Sequence, residues 1–214
     1  MTQEGLAAMT QLDAVDTKPK LGRKRDHTRD PQILEAALDV LAETGYDGMT
    51  IDMVAARAKA GKATLYRRWS SKGELVVDAV ACMKKVDLET LPDTGTLRGD
   101  FVAMIKTGSI EDSQRKLKIM TGLLSMLSKD PELSDTALSS IMEPRISANR
   151  IILRRAVERG EIPAHTDIDA IAVISQAMAT YRVMILRKPV DREFILSVID
   201  DIVLPAVGLP RAAN

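Results

Sequence analysis

The residues with the most distinctive chemistry lie between positions 57 and 72, in the segment RAKAGKATLYRRWSSK, where half of the side chains are cationic or aromatic. Lysine and arginine bind phosphates and guanine edges, and a tyrosine can donate its hydroxyl to a phosphate or lie against a thymine methyl group. The spacing predicts a helix over 62–69 with Leu65 and Trp69 facing inward. Its outer face would then present nucleic-acid-binding chemistry through Lys62, Ala63, Tyr66 and Arg67.

Catalytic and metal-binding patterns do not occur in the sequence. The two histidines, His27 and His165, are far apart, and there is no Ser/His/Asp set, phosphate-binding glycine loop or metal-ligand spacing. The single Cys82 excludes an intrachain disulfide and a multi-cysteine metal site. We therefore expect no enzymatic activity, no metal and no cofactor.

The charge distribution also favours a nucleic-acid partner, although the net charge is zero. Residues 18–72 carry twelve Lys/Arg and seven Asp/Glu, whereas residues 1–17 carry three acidic residues and no basic ones. A basic segment confined to one end of a chain is typical of nucleic-acid contact. The N-terminus lacks the basic start and apolar run of a signal peptide, and no apolar run is long enough for a membrane span. These features predict a cytoplasmic protein that does not bind membranes.

Helical periodicity dominates the chain, and with 45% hydrophobic but only 3% aromatic residues it predicts an all-α fold of about nine helices. Expected caps are Thr50 and the Ser71–Glu74 capping box, and Pro144 predicts a kink or a break near 143. The predicted helices cover about 31–44, 51–58, 62–69, 72–86, 96–109, 112–129, 131–159, 167–186 and 191–204. We expect a disordered tail over 1–22, a helix-turn-helix domain over 23–86 that includes the linking helix 72–86, and a larger helical domain over 95–214.

Two stretches, GYDGMTIDMVAARA (45–58) and KATLYRRWSSKGELV (62–76), resemble the tetracycline-repressor (TetR) family of bacterial transcriptional regulators. The resemblance implies an all-helical homodimer that binds double-stranded operator DNA. By position, it implies that Lys62, Ala63, Tyr66 and Arg67 face bases, and that Trp69 packs the motif together. It assigns phosphate contacts to Thr50, Thr64, Tyr66, Arg68 and Lys72. It also implies that a basic arm before the first helix contacts the minor groove through Arg23, Lys24 and Arg25.

The turn before the third helix departs from the family pattern. Lys59, Ala60 and Gly61 stand where the family usually has glycine, an aliphatic residue and serine. A left-handed backbone at Lys59 would cost about 1 kcal/mol. The sequence favours a near-normal turn, with a turn redrawn around Gly61 as the alternative.

The last two predicted helices are apolar on two sides, so each needs a partner beyond its own core. Pairing them with their copies gives a four-helix dimer interface, which the resemblance also implies. The alternative is that both are central core helices. The predicted interface residues are Ile171, Ile174, Met178, Ile185, Ile195, Val198, Ile199 and Ile202.

The resemblance further implies an effector pocket among the fourth to eighth helices. Flexible methionines and few aromatics indicate an adaptable apolar pocket. Its expected walls are Met83, Phe101, Met104, Met120, Leu124, Met142 and Tyr181, with Arg145 as a polar anchor. The hypothesis is a repressor released from a pseudo-palindromic operator by a small apolar effector. Alternatives are an activator, an effector-independent DNA binder, and a helical ligand-binding or catalytic bundle with a vestigial motif.

Overall fold

A computed structural model describes residues 30–105, 108 and 110–211, and these residues form helices and connecting turns with no strand. The all-α prediction is confirmed. The helices are α1 (Asp30–Gly48), α2 (Ile51–Arg57), α3 (Lys62–Tyr66), α4 (Lys72–Met83), α5 (Leu97–Ala103), α6 (Ile110–Leu127), α7 (Pro131–Ala137), α8 (Glu143–Glu158), α9 (Ile168–Met184), α10 (Arg192–Val198) and α11 (Leu204–Ala206). None of these helices is long and apolar enough to cross a bilayer.

The helix starts in the N-terminal unit follow the predicted caps. The Thr50 hydroxyl accepts a hydrogen bond from the Met53 amide at the start of α2. At the start of α4, the Ser71 hydroxyl accepts from the Glu74 amide, and the Glu74 carboxylate accepts from the Ser70 amide. These bonds satisfy amides that have no partner inside the helix, and so they fix where α2 and α4 begin.

The turn between α2 and α3 keeps a regular helix ending despite its unusual sequence. Lys59 has a φ of 49°, in the left-handed region that favours glycine. The Ala60 amide donates to the Ala55 carbonyl at 2.9 Å, and the Lys59 amide donates to the Ala56 carbonyl at 3.2 Å. This pair of bonds is the Schellman motif, which ends many helices at a left-handed residue. The near-normal turn is therefore the one formed, and its energetic cost comes from the left-handed backbone of Lys59.

The first hydrophobic core joins the N-terminal helices to α6. Buried residues of α1, α2, α3 and α4 share one cluster with Ile119, Leu123 and Met126 of α6. Gly122 allows a close approach, because a Cβ at that position would lie 2.7 Å from a Leu41 methyl carbon. Helices α1–α4 are thus packed with α6 as one body.

Ion pairs lie at both ends of the contact between α1 and α6. Arg115 of α6 donates to Asp39 at 2.7 Å and to Glu35 at 2.6 Å on α1. Beyond the other end of α6, Lys129 lies 2.7 Å from Asp47. These side chains are partly or largely exposed, so each pair stabilises weakly, and together they fix the register of the two helices.

The second core lies among α5, α8, α9 and α10 and contains residues such as Phe101 and Ile152. Its buried acid, Asp100, is fully shielded and accepts hydrogen bonds from the amide and hydroxyl of Thr94. Arg159 lies 3.2 Å from the other oxygen of Asp100. A buried carboxylate with these donors is satisfied, and it anchors the segment before α5 to the end of α8.

Two helices contain π-helical turns directly before a proline. Residues Leu138–Met142 form one such turn ahead of Pro144, and Ile199–Val203 form another ahead of Pro205. Proline lacks an amide hydrogen and its ring crowds the preceding turn, so the backbone widens there. The helix predicted over 131–159 is distorted near 143, but the π-helical turn joins α7 to α8 without a break. The other predicted helices differ from the observed ones at their ends. The largest difference concerns the helix predicted over 96–109, which ends at Ala103.

The left-handed Lys59 gives a stability prediction. Lys59→Gly removes the steric cost at φ 49° and should raise the free energy of unfolding by about 1 kcal/mol, which is a rise in Tm of about 2–4 °C. Lys59→Ala is the matched control, since it removes the charge and keeps the Cβ. Differential scanning calorimetry of the three proteins tests this expectation. A glycine variant that melts at or below the alanine variant contradicts it.

Candidate nucleic-acid interface

The outer face of α3 presents the predicted basic and aromatic side chains to solvent. Lys62, Ala63, Tyr66 and Arg67 are all exposed, and 51% of the Tyr66 surface is accessible. On the opposite side Leu65 is 1% exposed, which anchors the helix in the first core. Basic donors and an aromatic ring therefore stand on a short helix whose position is fixed by packing.

Lys62 has an internal partner on this face. Its ammonium lies 2.9 Å from the Asp52 carboxylate and 5.9 Å from the centre of the Tyr66 ring. The hydrogen bond to Asp52, together with the charge of that carboxylate, raises the pKa of Lys62. Both side chains of the pair are more than half exposed, so the pair is weak and a phosphate or base edge can replace the carboxylate.

Thr50 can bind a phosphate while it caps α2. Its hydroxyl oxygen accepts from the Met53 amide, which leaves the hydroxyl hydrogen available for donation. The Thr50 side chain is exposed, whereas the Thr64 side chain on α3 is half-buried and therefore less accessible to a phosphate. Phosphate contacts at these two residues remain predictions.

Two of the predicted phosphate-binding residues have structural roles that sequence reasoning missed. Lys72 donates to the carbonyl oxygens of Tyr46 at 2.7 Å and Met49 at 2.9 Å, and its ammonium lies 4.2 Å from the Tyr46 ring. It therefore ties the start of α4 to the end of α1. Arg68 pairs with Asp30 at the start of α1. No local sequence signal marks either contact, because the partners lie more than 20 residues away.

Trp69 has the packing role that was expected of it. The ring is 6% exposed within the first core, and its indole nitrogen donates to the Asp78 carboxylate at 2.8 Å. The indole thereby joins α3 to α4. The predicted minor-groove arm, Arg23, Lys24 and Arg25, lies outside the described residues.

The residues expected to wall an effector pocket divide between the two cores. Met83, Met120 and Leu124 belong to the first core, at the junction of α4 and α6. Phe101 and Met104 belong to the second core. Three others complete the set: Met142 and Arg145 are half-buried where α8 begins, and Tyr181 is 51% exposed. The structure does not bring all eight together around one space.

The residues expected at a dimer interface differ in their exposure. Val198 and Ile199 are 2% and 3% exposed within the second core, so the interface prediction is wrong for these two residues, which pack inside their own chain. Ile185 is 65% exposed, and the other five are partly buried: Ile171, Ile174, Met178, Ile195 and Ile202. Three exposed neighbours extend the apolar surface around Ile185 at the end of α9: Tyr181, Met184 and Leu186.

Both parts of the chain match known family models. Residues 33–79 match the model for bacterial regulatory proteins of the tetR family, and residues 91–202 match the tetracyclin repressor-like C-terminal domain. The chain is 36% identical over 182 residues to the DNA-binding transcriptional repressor TetR of Mycobacteroides abscessus, covering 84% of this chain and 94% of that protein. It is 33% identical over 203 residues to an uncharacterised HTH-type transcriptional regulator of Mycobacterium tuberculosis, covering 94% and 97%.

The fold is also similar to that of solved regulators. The crystal structure of the transcriptional regulator FadR from Bacillus subtilis, in complex with stearoyl-CoA, has a TM-score of 0.55 at 17% identity. The match covers 82% of this chain and 96% of that one. At 17% sequence identity, this similarity supports a shared fold and nothing beyond it.

The α3 face predicts separable effects of two substitutions. Tyr66→Ala removes an exposed ring and should weaken binding to a duplex selected from a random-sequence pool by about tenfold or more, with Tm unchanged. Arg68→Ala should lower Tm as well, because it breaks the half-buried pair with Asp30. Fluorescence anisotropy gives the DNA affinity, and thermal denaturation gives Tm.

Lys85→Ala provides the control for these two variants, since Lys85 is an exposed cation at the end of α4 and away from α3. It should bind the duplex like the wild-type chain. Wild-type affinity in the Tyr66→Ala variant would rule out α3 as the reading helix.

Proposed function

This chain belongs to the TetR family of bacterial transcriptional regulators and is a DNA-binding regulator, and we propose that it acts in the cytoplasm as a homodimeric repressor of a pseudo-palindromic operator. The observation that carries the proposal is the exposed Lys62, Ala63, Tyr66 and Arg67 face on a helix whose other side is buried. The two α3 helices of a dimer would enter successive major grooves, about 34–36 Å apart.

The proposed dimer forms through α9 and α10. Soluble monomers rarely keep large side chains in one contiguous exposed apolar patch, and four such side chains occur between positions 181 and 186. A two-fold axis beside this patch would place each residue against the same surface of the second copy. The partly buried Ile171, Ile174 and Ile195 lie on the same two helices and would lose their remaining exposure there.

The proposed release of DNA runs through α6. This helix shares a core with α1 and is held to it by Arg115 and Lys129, so a shift of α6 moves the DNA-binding unit with it. An effector bound among α4, α6 and α8 would favour one position of α6 and change the separation of the two α3 helices. The structural neighbour that binds stearoyl-CoA supports an effector site within this fold.

Selection of bound sequences from a random duplex pool tests the proposed function. The full-length protein should enrich an inverted repeat whose half-site centres are about one helical turn apart. Affinity for the selected duplex should fall steeply as salt is raised, because lysine and arginine contacts release counterions from the phosphates. Enrichment of no sequence, together with binding that is indifferent to salt, would refute a DNA-binding regulator.

The proposed interface gives a prediction about assembly. Ile185→Glu places a charge on the strongly exposed apolar residue that follows α9, so it should convert the dimer to a monomer and weaken operator binding at least tenfold. Leu88→Glu is the matched control, an exposed apolar residue in the α4–α5 connection. Sedimentation velocity measures the assembly state. A dimeric Ile185→Glu protein would place the interface elsewhere.

A further inference from the structure

An acidic residue lies among the basic donors of the α3 face. Asp52, in the first turn of α2, is exposed, and both of its carboxylate oxygens lie 2.9 Å from the Lys62 ammonium. The same ammonium lies 5.9 Å from the centre of the Tyr66 ring. A carboxylate at this place opposes the attraction for phosphates that supplies nearly all non-specific DNA binding. Its presence on a DNA-binding face therefore needs an explanation.

Holding α3 against α2 does not explain the contact. Val54 of α2 and Leu65 of α3 are 0% and 1% exposed within the first core, so the two helices pack together without the ion pair. Both side chains of the pair are more than half exposed, and such a pair contributes little to stability. An acid in the first turn of a helix is favourable by itself, but that effect does not require a contact with Lys62.

The contact limits which acceptors of DNA can bind Lys62. An ammonium has three hydrogens, and two carboxylate oxygens occupy at most two of them, so at least one remains for DNA. An acceptor on that hydrogen lies roughly 5 Å from the carboxylate oxygens, since each N–H···O bond is about 2.9 Å long. This separation is shorter than the Debye length at physiological salt, about 8 Å. The charge of Asp52 therefore acts on whatever Lys62 binds.

The two kinds of acceptor that DNA offers differ in charge. A phosphate oxygen is anionic and is repelled by the carboxylate, whereas guanine O6 and N7 are neutral acceptors. The same difference holds if DNA displaces the carboxylate from the ammonium, because Asp52 then stands unpaired beside its replacement. A phosphate is therefore disfavoured at Lys62, and a guanine edge is not.

We propose that Asp52 is a specificity-determining positioning residue that directs Lys62 to a guanine edge and away from phosphates. The inference rests on the proposed function, since it concerns how that regulator distinguishes its operator from other DNA. Asp52 lowers the affinity for non-specific sites more than the affinity for the operator. Specificity is a difference between two binding free energies, so a repulsive element of this kind increases it.

Asp52→Asn tests this inference on the full-length protein, because the amide keeps the shape of the side chain and removes its charge. Fluorescence anisotropy gives the affinity for the duplex that the wild-type chain selects and for a scrambled duplex of the same composition. The variant should bind the scrambled duplex about fivefold more tightly, with a salt dependence steeper by about one phosphate contact. Its affinity for the selected duplex should rise less, and selection with the variant should lose the preference for guanine at one position of each half-site.

Two further variants separate this role from a structural one. Asp169→Asn is the matched control, because it also removes an exposed acid from an ion pair, with Arg150 at 2.6 Å, and lies on α9. It should leave the ratio of the two affinities unchanged. In a Lys62→Met background, Asp52→Asn should no longer alter the base preference, since the side chain that it positions is absent.

The outcomes distinguish the inference from the proposed function. A purely structural role of Asp52 would weaken binding to both duplexes alike and lower Tm. That result, or a wild-type affinity ratio and base preference in Asp52→Asn, overturns the inference. A wild-type chain that selects no sequence overturns the proposed function instead.

Discussion

The contact between Leu41 of α1 and Gly122 of α6 is the constraint on which the rest of the structure depends. Close packing at this point merges the core of the DNA-binding unit with that of α6, so the two cannot move independently without opening a buried surface. The ion pairs of Arg115 and Lys129 then fix the register of the two helices. A regulator needs such a joint, because an event in one half must reach the other as a displacement of a whole helix.

The basic residues of the helix-turn-helix unit divide into those that hold the unit together and those that face outward. Lys72 donates to a carbonyl at the end of α1, and Arg68 pairs with Asp30 at the start of α1, so the donors of both side chains are used within the fold. Lys62 and Arg67 remain exposed on α3. This division leaves exposed basic donors on a five-residue helix whose other side is held by packing, even though its preceding turn carries the cost of a left-handed lysine.

Local chemistry made much of this arrangement predictable. The caps at Thr50 and Ser71 and the helix distortion before Pro144 follow from residues within a few positions of each other, and all three occur in the structure. Contacts across the chain were not predictable in this way. Periodicity could not tell that Val198 and Ile199 face their own core, because a helix apolar on two sides looks the same whichever side meets a partner. Nor could it show that the expected pocket residues belong to two cores.

A charge can be given a functional meaning only after its contacts within the fold are accounted for. Arg159 pairs with Asp100 and Glu161, so its charge is explained by the fold. Arg115 likewise donates to Asp39 and Glu35 of α1, so its charge serves the α1–α6 contact. Because α6 is packed on α1, a displacement of α6 would carry the helices of the first core with it.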